Sequence, residues 1–299
     1  MDVFNDPAEL TAFIWRIKRN FSLKLWDDGR AKPAYAEVVG FVPTMGAFHD
    51  GHLSLVERSV EDNHFTVVSI FVNPLQFSQN EDLDEYPRAF EADCKSLEEI
   101  GVDAVFYPDV RTFYPDDFAT RVRVSGVTED YCGASRPGHF EGVTTVVAKL
   151  FGVVQPDVAY FGEKDYQQLI TIRRMVEDLN MPVRIVGMPI KREADGLAMS
   201  SRNAHLSDEE RSAAHGMYAG LMEMKHRFDD EIDDVNRLIQ MGMAEMMKKM
   251  GLVDGFRIEY LEIADPVSLE KREMTAERGD RILAAIQLGR TRLIDNVAL

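Results

Sequence analysis
Apolar residues recur along this chain with two periods, and the two alternate. Leu10, Ile14, Ile17 and Phe21 fall at helical spacing, which predicts an amphipathic helix over about residues 7–25. A polar stretch with Gly and Pro, 27–33, then leads to a short buried strand at 37–42 that Pro43 stops. A helix is expected from near Phe48, and strands at 65–72, 104–107, 158–161 and 183–187 alternate with helices at about 90–100, 143–154 and 166–179. Such alternation predicts an α/β fold, a doubly wound (Rossmann-like) parallel sheet with helices on both faces. Near residues 188–200 the pattern changes to two long polar helices, 208–228 and 232–250, followed by strand-like 256–263 and 281–288. We expect a division into 1–190 and a smaller C-terminal α+β domain, 191–299.

Composition narrows the function classes. The 299 residues are 45% hydrophobic and 28% charged, an ordinary globular balance with no apolar run long enough to span a membrane. The N-terminal residues lack the basic and apolar regions of a secretory signal. Two cysteines, Cys94 and Cys132, make neither a disulfide framework nor a four-ligand zinc site, so a reducing cytoplasm is expected. A net charge of −17, from 34 Lys and Arg against 51 Asp and Glu, argues against a broad nucleic-acid surface. A small anionic ligand would need a local cluster of basic and dipolar groups, which makes individual basic positions informative.

The most informative segment is 43–52, Pro-Thr-Met-Gly-Ala-Phe-His-Asp-Gly-His, at the change from strand to helix. Gly46 lets backbone N–H groups approach a ligand. His49 and His52 would share one face of the first helical turn and add directed donors to its positive dipole, an arrangement suited to a triphosphate. A helix cap beside a core histidine is the plainer alternative. Four other segments carry chemistry at strand or helix ends. In 71–77, Asn73-Pro74 stops a strand and Gln76 can grip a carboxylate and a hydroxyl through one amide. In 136–142, Arg136 and His139 sit in a glycine-rich loop, a candidate mobile cover or further phosphate contact. In 161–168, Gly162 precedes Glu163, Lys164 and Asp165, where Lys164 supplies a point charge and Asp165 and Gln168 occupy neighbouring helix positions. In 199–203, Met199 precedes Ser200, Ser201 and Arg202, two hydroxyls and a guanidinium able to wrap a phosphate chain. Each could instead be an ordinary loop, cap or charged helix start. No dense carboxylate motif is present; Asp93 is a candidate partner for a nucleotide-bound magnesium, or a solvated helix carboxylate.

Together these segments resemble the pantothenate synthetase (pantoate–β-alanine ligase) family of the HxGH nucleotidyl-transferase superfamily. The resemblance runs from Gly40 to the terminal Thr291-Arg-Leu-Ile-Asp-Asn296, and it rests on five segments in the family's order: 43–52, 69–77, 136–140, 161–169 and 195–203. It implies ATP-dependent joining of pantoate to β-alanine through a pantoyl adenylate, giving pantothenate, AMP and diphosphate, with Mg2+ as cofactor and a homodimer as assembly. The positions matching the family's ATP site are Met45, Gly46, Ala47, Phe48, His49, Asp50, Gly51, His52, Gly162, Glu163, Lys164, Asp165, Lys191, Met199, Ser200, Ser201 and Arg202. Gln76 and Gln168 match its pantoate site, and we count Asn73, Arg136 and His139 with the substrate contacts. His52 matches the central catalytic residue; His49, Lys164 and the Ser200-Ser201-Arg202 cluster would stabilise developing charge, and Asp93 matches a carboxylate near the magnesium.

Two departures from the family stand out. Phe48 replaces its common Leu, and the stretch 22–36 is longer than its usual link into the first strand. Other readings stay open on sequence alone: a nucleotidylyltransferase that keeps AMP on its product, an RNA-binding protein, or a nucleotide-binding regulator without catalysis. The Gln76 and Gln168 segments speak against the first, and the acidic charge against the second.

Overall fold
The computed structural model describes the backbone at residues 1–27, 38–77 and 88–299, with side chains over the same ranges except 22–27. The chain divides into two compact units, Met1–Gly162 with Gln168–Met188, and Glu163–Gln167 with Pro189–Leu299. The long link at 22–36 lies for the most part outside the described residues.

The first unit contains β1 (Asp2–Phe4), α1 (Pro7–Asp27), β2 (Val39–Thr44), α2 (Asp50–Asp62), β3 (Phe65–Ile70), α3 (Phe90–Ile100) and β4 (Ala104–Phe106). Two short helices, α4 (Val110–Phe113) and α5 (Cys132–Ser135), precede α6 (His139–Val154), β5 (Val158–Gly162), α7 (Tyr166–Asp178) and β6 (Arg184–Met188). The sheet order is β1-β4-β3-β2-β5-β6, and every pairing in it is parallel. Both faces are covered, so the strands are nearly continuous apolar runs. On one face Val42, Val68, Val105 and Tyr160 pack with Leu55 and Val56 of α2 and Leu97 of α3. On the other, Phe41 and Phe161 meet the ring of Phe151 from α6, and α1 is tied to α6 where Thr11 Oγ1 donates to the Val153 carbonyl at 3.0 Å.

The chain runs outward from β2 through β3 to β4 and then returns to the other side of β2 as β5. The reversal lies between β2 and β5, and ligands of such sheets bind beyond the carboxyl ends of strands at that point. Pro43 does not end β2 as its sequence predicts, because the strand runs to Thr44 in register with β3. The ladder pairs with β5 are Gly40 and Phe41. Pro43 thus sits past the recorded β5 pairs, where a missing N–H breaks no ladder bond on that side.

In the second unit, β7 (Arg257–Ala264), β8 (Arg281–Leu288) and β9 (Thr291–Ala298) form an antiparallel meander. Helices α8 (Asp208–Ala214), α9 (Gly216–Asp229) and α10 (Val235–Met250) accompany it, and Met217, Leu221, Met246 and Met250 share a core with Ile263, Ile282 and Ile286. The single helix expected over 208–228 is split at His215, ahead of Gly216, a poor residue for a helix interior. The division falls within α7, between Gln167 and Gln168, so Asp165 and Gln168 belong to different units. Among the described residues no helix is long and apolar enough to cross a membrane.

Candidate active site
The carboxyl end of β2 leads into a loop whose shape is set by its own backbone and by one carboxylate. Gly46 and Ala47 both have positive φ, +83° and +54°. A Cβ on Gly46 would stand 2.9 Å from Asp93 Oδ2 and 3.0 Å from Ile70 Cγ2, so the position needs glycine for space as well as conformation. Asp93, 4% exposed on α3, accepts from Ala47 N at 2.8 Å through Oδ2 and from Phe48 N at 3.0 Å through Oδ1. The side chain that sequence reasoning offered to magnesium is therefore turned toward the loop, each oxygen on a backbone donor. Among the described residues no three His, Cys, Asp or Glu converge as a metal site.

Helix α2 begins at Asp50, two residues later than its sequence predicts, because His49 is extended and serves as the N-cap. His49 Nδ1 accepts from Gly51 N at 3.1 Å, and His52 Nδ1 reaches back to His49 N at a long 3.5 Å, the reciprocal pattern of a capping box. The two rings lie 4.1 Å apart between centroids and 30° from parallel. A ring nitrogen that accepts carries no proton, so in both neutral imidazoles the N–H sits at Nε2. Phe48 packs its ring 5.8 Å from His52, so the larger apolar residue seats the imidazole from one side.

Next to this loop, β3 continues into a 3-10 turn, Pro74–Gln76, capped by Asn73. Gln76 Nε2 lies 2.9 Å from Met45 Sδ, which puts the amide against the histidine loop. Asn73 is 1% exposed; its Nδ2 donates to Gln76 Oε1 at 3.1 Å and to the Gly142 carbonyl at 3.0 Å, while its Oδ1 accepts from Tyr114 Oη at 3.0 Å. Burial pushes the Tyr114 phenol above its ordinary value, which keeps it a donor.

The segment 136–142 is part loop and part helix. His139–Gly142 form the opening turn of α6, because Gly138 takes a left-handed N-cap conformation. His139 Nδ1 donates to the Gln76 carbonyl at 2.8 Å, and His139 Nε2 accepts from Arg136 Nη1 at 3.0 Å. A carbonyl can only accept, so His139 holds the opposite tautomer to His49 and His52. Arg136 Nη2 also reaches the Gln76 carbonyl at 3.4 Å. Both residues thus grip the backbone of the Gln76 turn. A Cβ on Gly142 would lie 2.1 Å from the Leu75 carbonyl oxygen and 2.6 Å from Gln76 N. We expect Gly142→Ala to cost about 1–3 kcal/mol of stability by overpacking against backbone. Thermal unfolding checks this, and an unchanged midpoint would show that the turn yields freely. Gln168 is half-buried on the first turn of α7, after the strand next to β2.

The second unit carries the remaining candidates. Glu163, Lys164 and Asp165 form a 3-10 turn after Gly162, rather than the helix start expected, and Lys164 Nζ lies 3.8 Å from Asp165. Lys191 and Met199 are joined through the backbone, Met199 N donating to the Lys191 carbonyl at 3.0 Å. Ser200 caps a further 3-10 turn, Ser201–His205, with its Oγ accepting from Arg202 N at 3.3 Å. Arg202 is exposed and Ser201 half-buried. Sequence reasoning missed Tyr114, Gly142, Arg192, Arg281 and the polar pair Asp295-Asn296, all of which hold candidate segments in place. The last pair had a visible signal, since Asp and Asn are poor strand residues.

Known proteins resemble this chain over nearly its full length. The family model described as pantoate–β-alanine ligase matches residues 18–298. A pantothenate synthetase of Sulfurihydrogenibium sp. (strain YO3AOP1) is 45% identical over 297 residues, 99% of either chain. One from Pseudomonas paraeruginosa is 51% identical over 263 residues, 87% of this chain and 91% of its own. The crystal structure of a pantothenate synthetase from Thermus thermophilus superposes with a TM-score of 0.87 at 45% identity, covering 100% of this chain and 99% of that one. The pantoate–β-alanine ligase of Francisella tularensis, solved with β-γ ATP and β-alanine, gives 0.74 at 30% identity, covering 100% and 97%. A match of this extent means that the chain belongs to the pantoate–β-alanine ligase family.

Proposed function
We propose that this chain condenses pantoate with β-alanine at the expense of ATP, through a bound pantoyl adenylate, releasing AMP and diphosphate. The observation that carries the reading is the contact of Gln76 with Met45. It sets an amide able to hold a hydroxy acid directly against the loop suited to phosphate, and acyl adenylation needs a carboxylate beside an α-phosphate. The Francisella relative, solved with a nucleotide and β-alanine, supports the choice of substrates.

In the first step a pantoate carboxylate oxygen attacks the α-phosphorus, and the bond to the bridging oxygen of diphosphate breaks. Charge grows on the phosphate oxygens and on the leaving group, and fixed donors placed for that charge lower the barrier. His49 and His52 offer Nε2–H groups at the start of α2, while residues 45–51 bring the loop backbone. On the family resemblance, Gly162, Glu163, Lys164, Asp165, the Lys191 backbone, Met199, Ser200, Ser201 and Arg202 complete the nucleotide contacts. Gln76, Asn73 and Gln168 orient pantoate, and Arg136 and His139 act through the Gln76 backbone. In the second step the neutral amine of β-alanine attacks the acyl carbon and AMP leaves. No covalent enzyme intermediate is required. Magnesium enters as the ATP complex, which needs few protein ligands. The same reading takes the protein to be a cytoplasmic homodimer.

The test is diphosphate and AMP release from Mg–ATP with pantoate, with and without β-alanine. We expect sustained turnover and pantothenate by mass spectrometry only when both acids are present. A stable adenylated product, indifferent to β-alanine, would instead mark a nucleotidylyltransferase.

A further inference from the structure
Strand β9 buries two polar residues that its core does not call for: Asp295 is 4% exposed and Asn296 2%. Burial of such groups is costly unless their polar atoms are paired. Asn296 Nδ2 donates to the carbonyl oxygens of Glu163 at 2.8 Å and Lys164 at 3.1 Å. Its Oδ1 accepts from Arg281 Nη1 at 3.2 Å, and Arg281 Nη2 goes on to the Glu163 carboxylate at 3.3 Å. The same guanidinium lies 4.0 Å from the centre of the Tyr166 ring. The turn 163–165 is therefore gripped at its backbone by Asn296 and at its flanking side chains by Arg281.

Asp295 holds a different segment. It accepts a two-pronged contact from Arg192, at 2.6 and 2.9 Å, and Arg192 also donates to the Gly196 carbonyl at 3.0 Å and the Asn296 carbonyl at 3.3 Å. Burial pushes the Asp295 carboxyl up and the Arg192 fork opposes that shift. Arg192 is bridged to Ala198, and Lys191 to Met199, so this fork fixes the strand pair from which Ser200, Ser201 and Arg202 emerge. Two adjacent residues of one strand thus hold both second-unit segments with phosphate-binding chemistry.

We propose that Asn296, supported by Arg281, is a positioning residue for Lys164, and that the Asp295-Asn296 pair sets the spacing between Lys164 and the Ser200-Ser201-Arg202 cluster. This rests on the reading of those residues as ATP contacts. A three-residue 3-10 turn has little hydrogen bonding of its own to fix its orientation. The Lys164 side chain is 18% exposed, so its reach follows the turn that carries it. Small misplacement of a charge that meets the transition state is expensive in rate, whereas a residue that merely stabilises the fold affects all substrates alike.

The experiment is a double-mutant cycle with Asn296→Ala and Lys164→Ala, reading kcat/KM for ATP and KM for pantoate, with thermal unfolding to confirm folding. We expect Asn296→Ala to lower kcat/KM for ATP about tenfold in the native background, to change pantoate KM less than about twofold, and to lose most of its effect when Lys164 is already alanine. An equal loss in both backgrounds, or a parallel loss for pantoate, overturns the proposal and leaves Asn296 a structural residue. If Lys164→Ala itself leaves ATP kinetics unchanged, the ATP reading of Lys164 fails and takes the proposal with it. A large Lys164 effect with no Asn296 effect overturns the proposal alone. Should Asn296→Ala not fold, Arg281→Gln in the same two backgrounds decides, since it removes the support of Asn296 Oδ1 and the Glu163 contact.

Discussion

Replacing His52 by alanine is expected to lower kcat by about two to three orders of magnitude while the KM for ATP stays within about threefold. The His52 ring uses Nδ1 to complete the cap of α2, which places its N–H at Nε2. A donor fixed in that way gains most when phosphate charge develops, and less when ATP merely binds. The same substitution removes part of a capping box, so about 1 kcal/mol of stability should be lost as well. Steady-state kinetics well below the unfolding transition separate the two effects. A proportionate rise in KM with kcat unchanged would assign His52 to ground-state binding.

Asp93→Asn should lower kcat/KM for ATP about ten- to a hundredfold with the magnesium dependence unmoved. Each oxygen of Asp93 accepts a backbone N–H of the histidine loop, from Ala47 and from Phe48. Asparagine keeps one acceptor and turns an N–H2 group toward the second amide, leaving a buried donor unpaired at a cost of about 1–3 kcal/mol. The loop would relax away from its left-handed pair, Gly46 and Ala47, and the donors it presents would lose their alignment. Titrating magnesium at fixed ATP discriminates the roles. A large shift in the magnesium midpoint, with ATP affinity retained, would return Asp93 to the metal.

Much of this was legible in the sequence, and the gaps have physical causes. Helix α3 and strand β8 occupy the residues their periodicity predicts, because each is bounded by clear turn chemistry and buries one regular face. Strand β1 was missed because three residues carry no period, and its partner β4 lies about a hundred positions away in the chain. Strand β9 was missed because Asp295 and Asn296 interrupt its apolar run; they serve Arg192 and Glu163 rather than the core. Segment 136–142 reads as a loop because its glycines suggest freedom, whereas Gly142 is there to admit the backbone of Leu75. The chemistry of single segments is local and can be read. Which backbone a given side chain holds is a tertiary fact, and for Asp93, Arg136 and His139 it adds contacts that the sequence alone does not reveal.

The position of β2 also bears on how this enzyme is made. Its histidine loop follows residue 44, but the strand that completes the sheet on its far side begins at Val158. At roughly 5–20 residues per second, a ribosome needs several seconds or more to synthesise the intervening chain. During that interval one edge of β2 has only the unfinished polypeptide or water to pair with, and the apolar side of Phe41 awaits Phe151. A nascent chain halted before β5 should therefore bind neither nucleotide nor pantoate, and it would present an open strand edge to chaperones or to other unfinished copies.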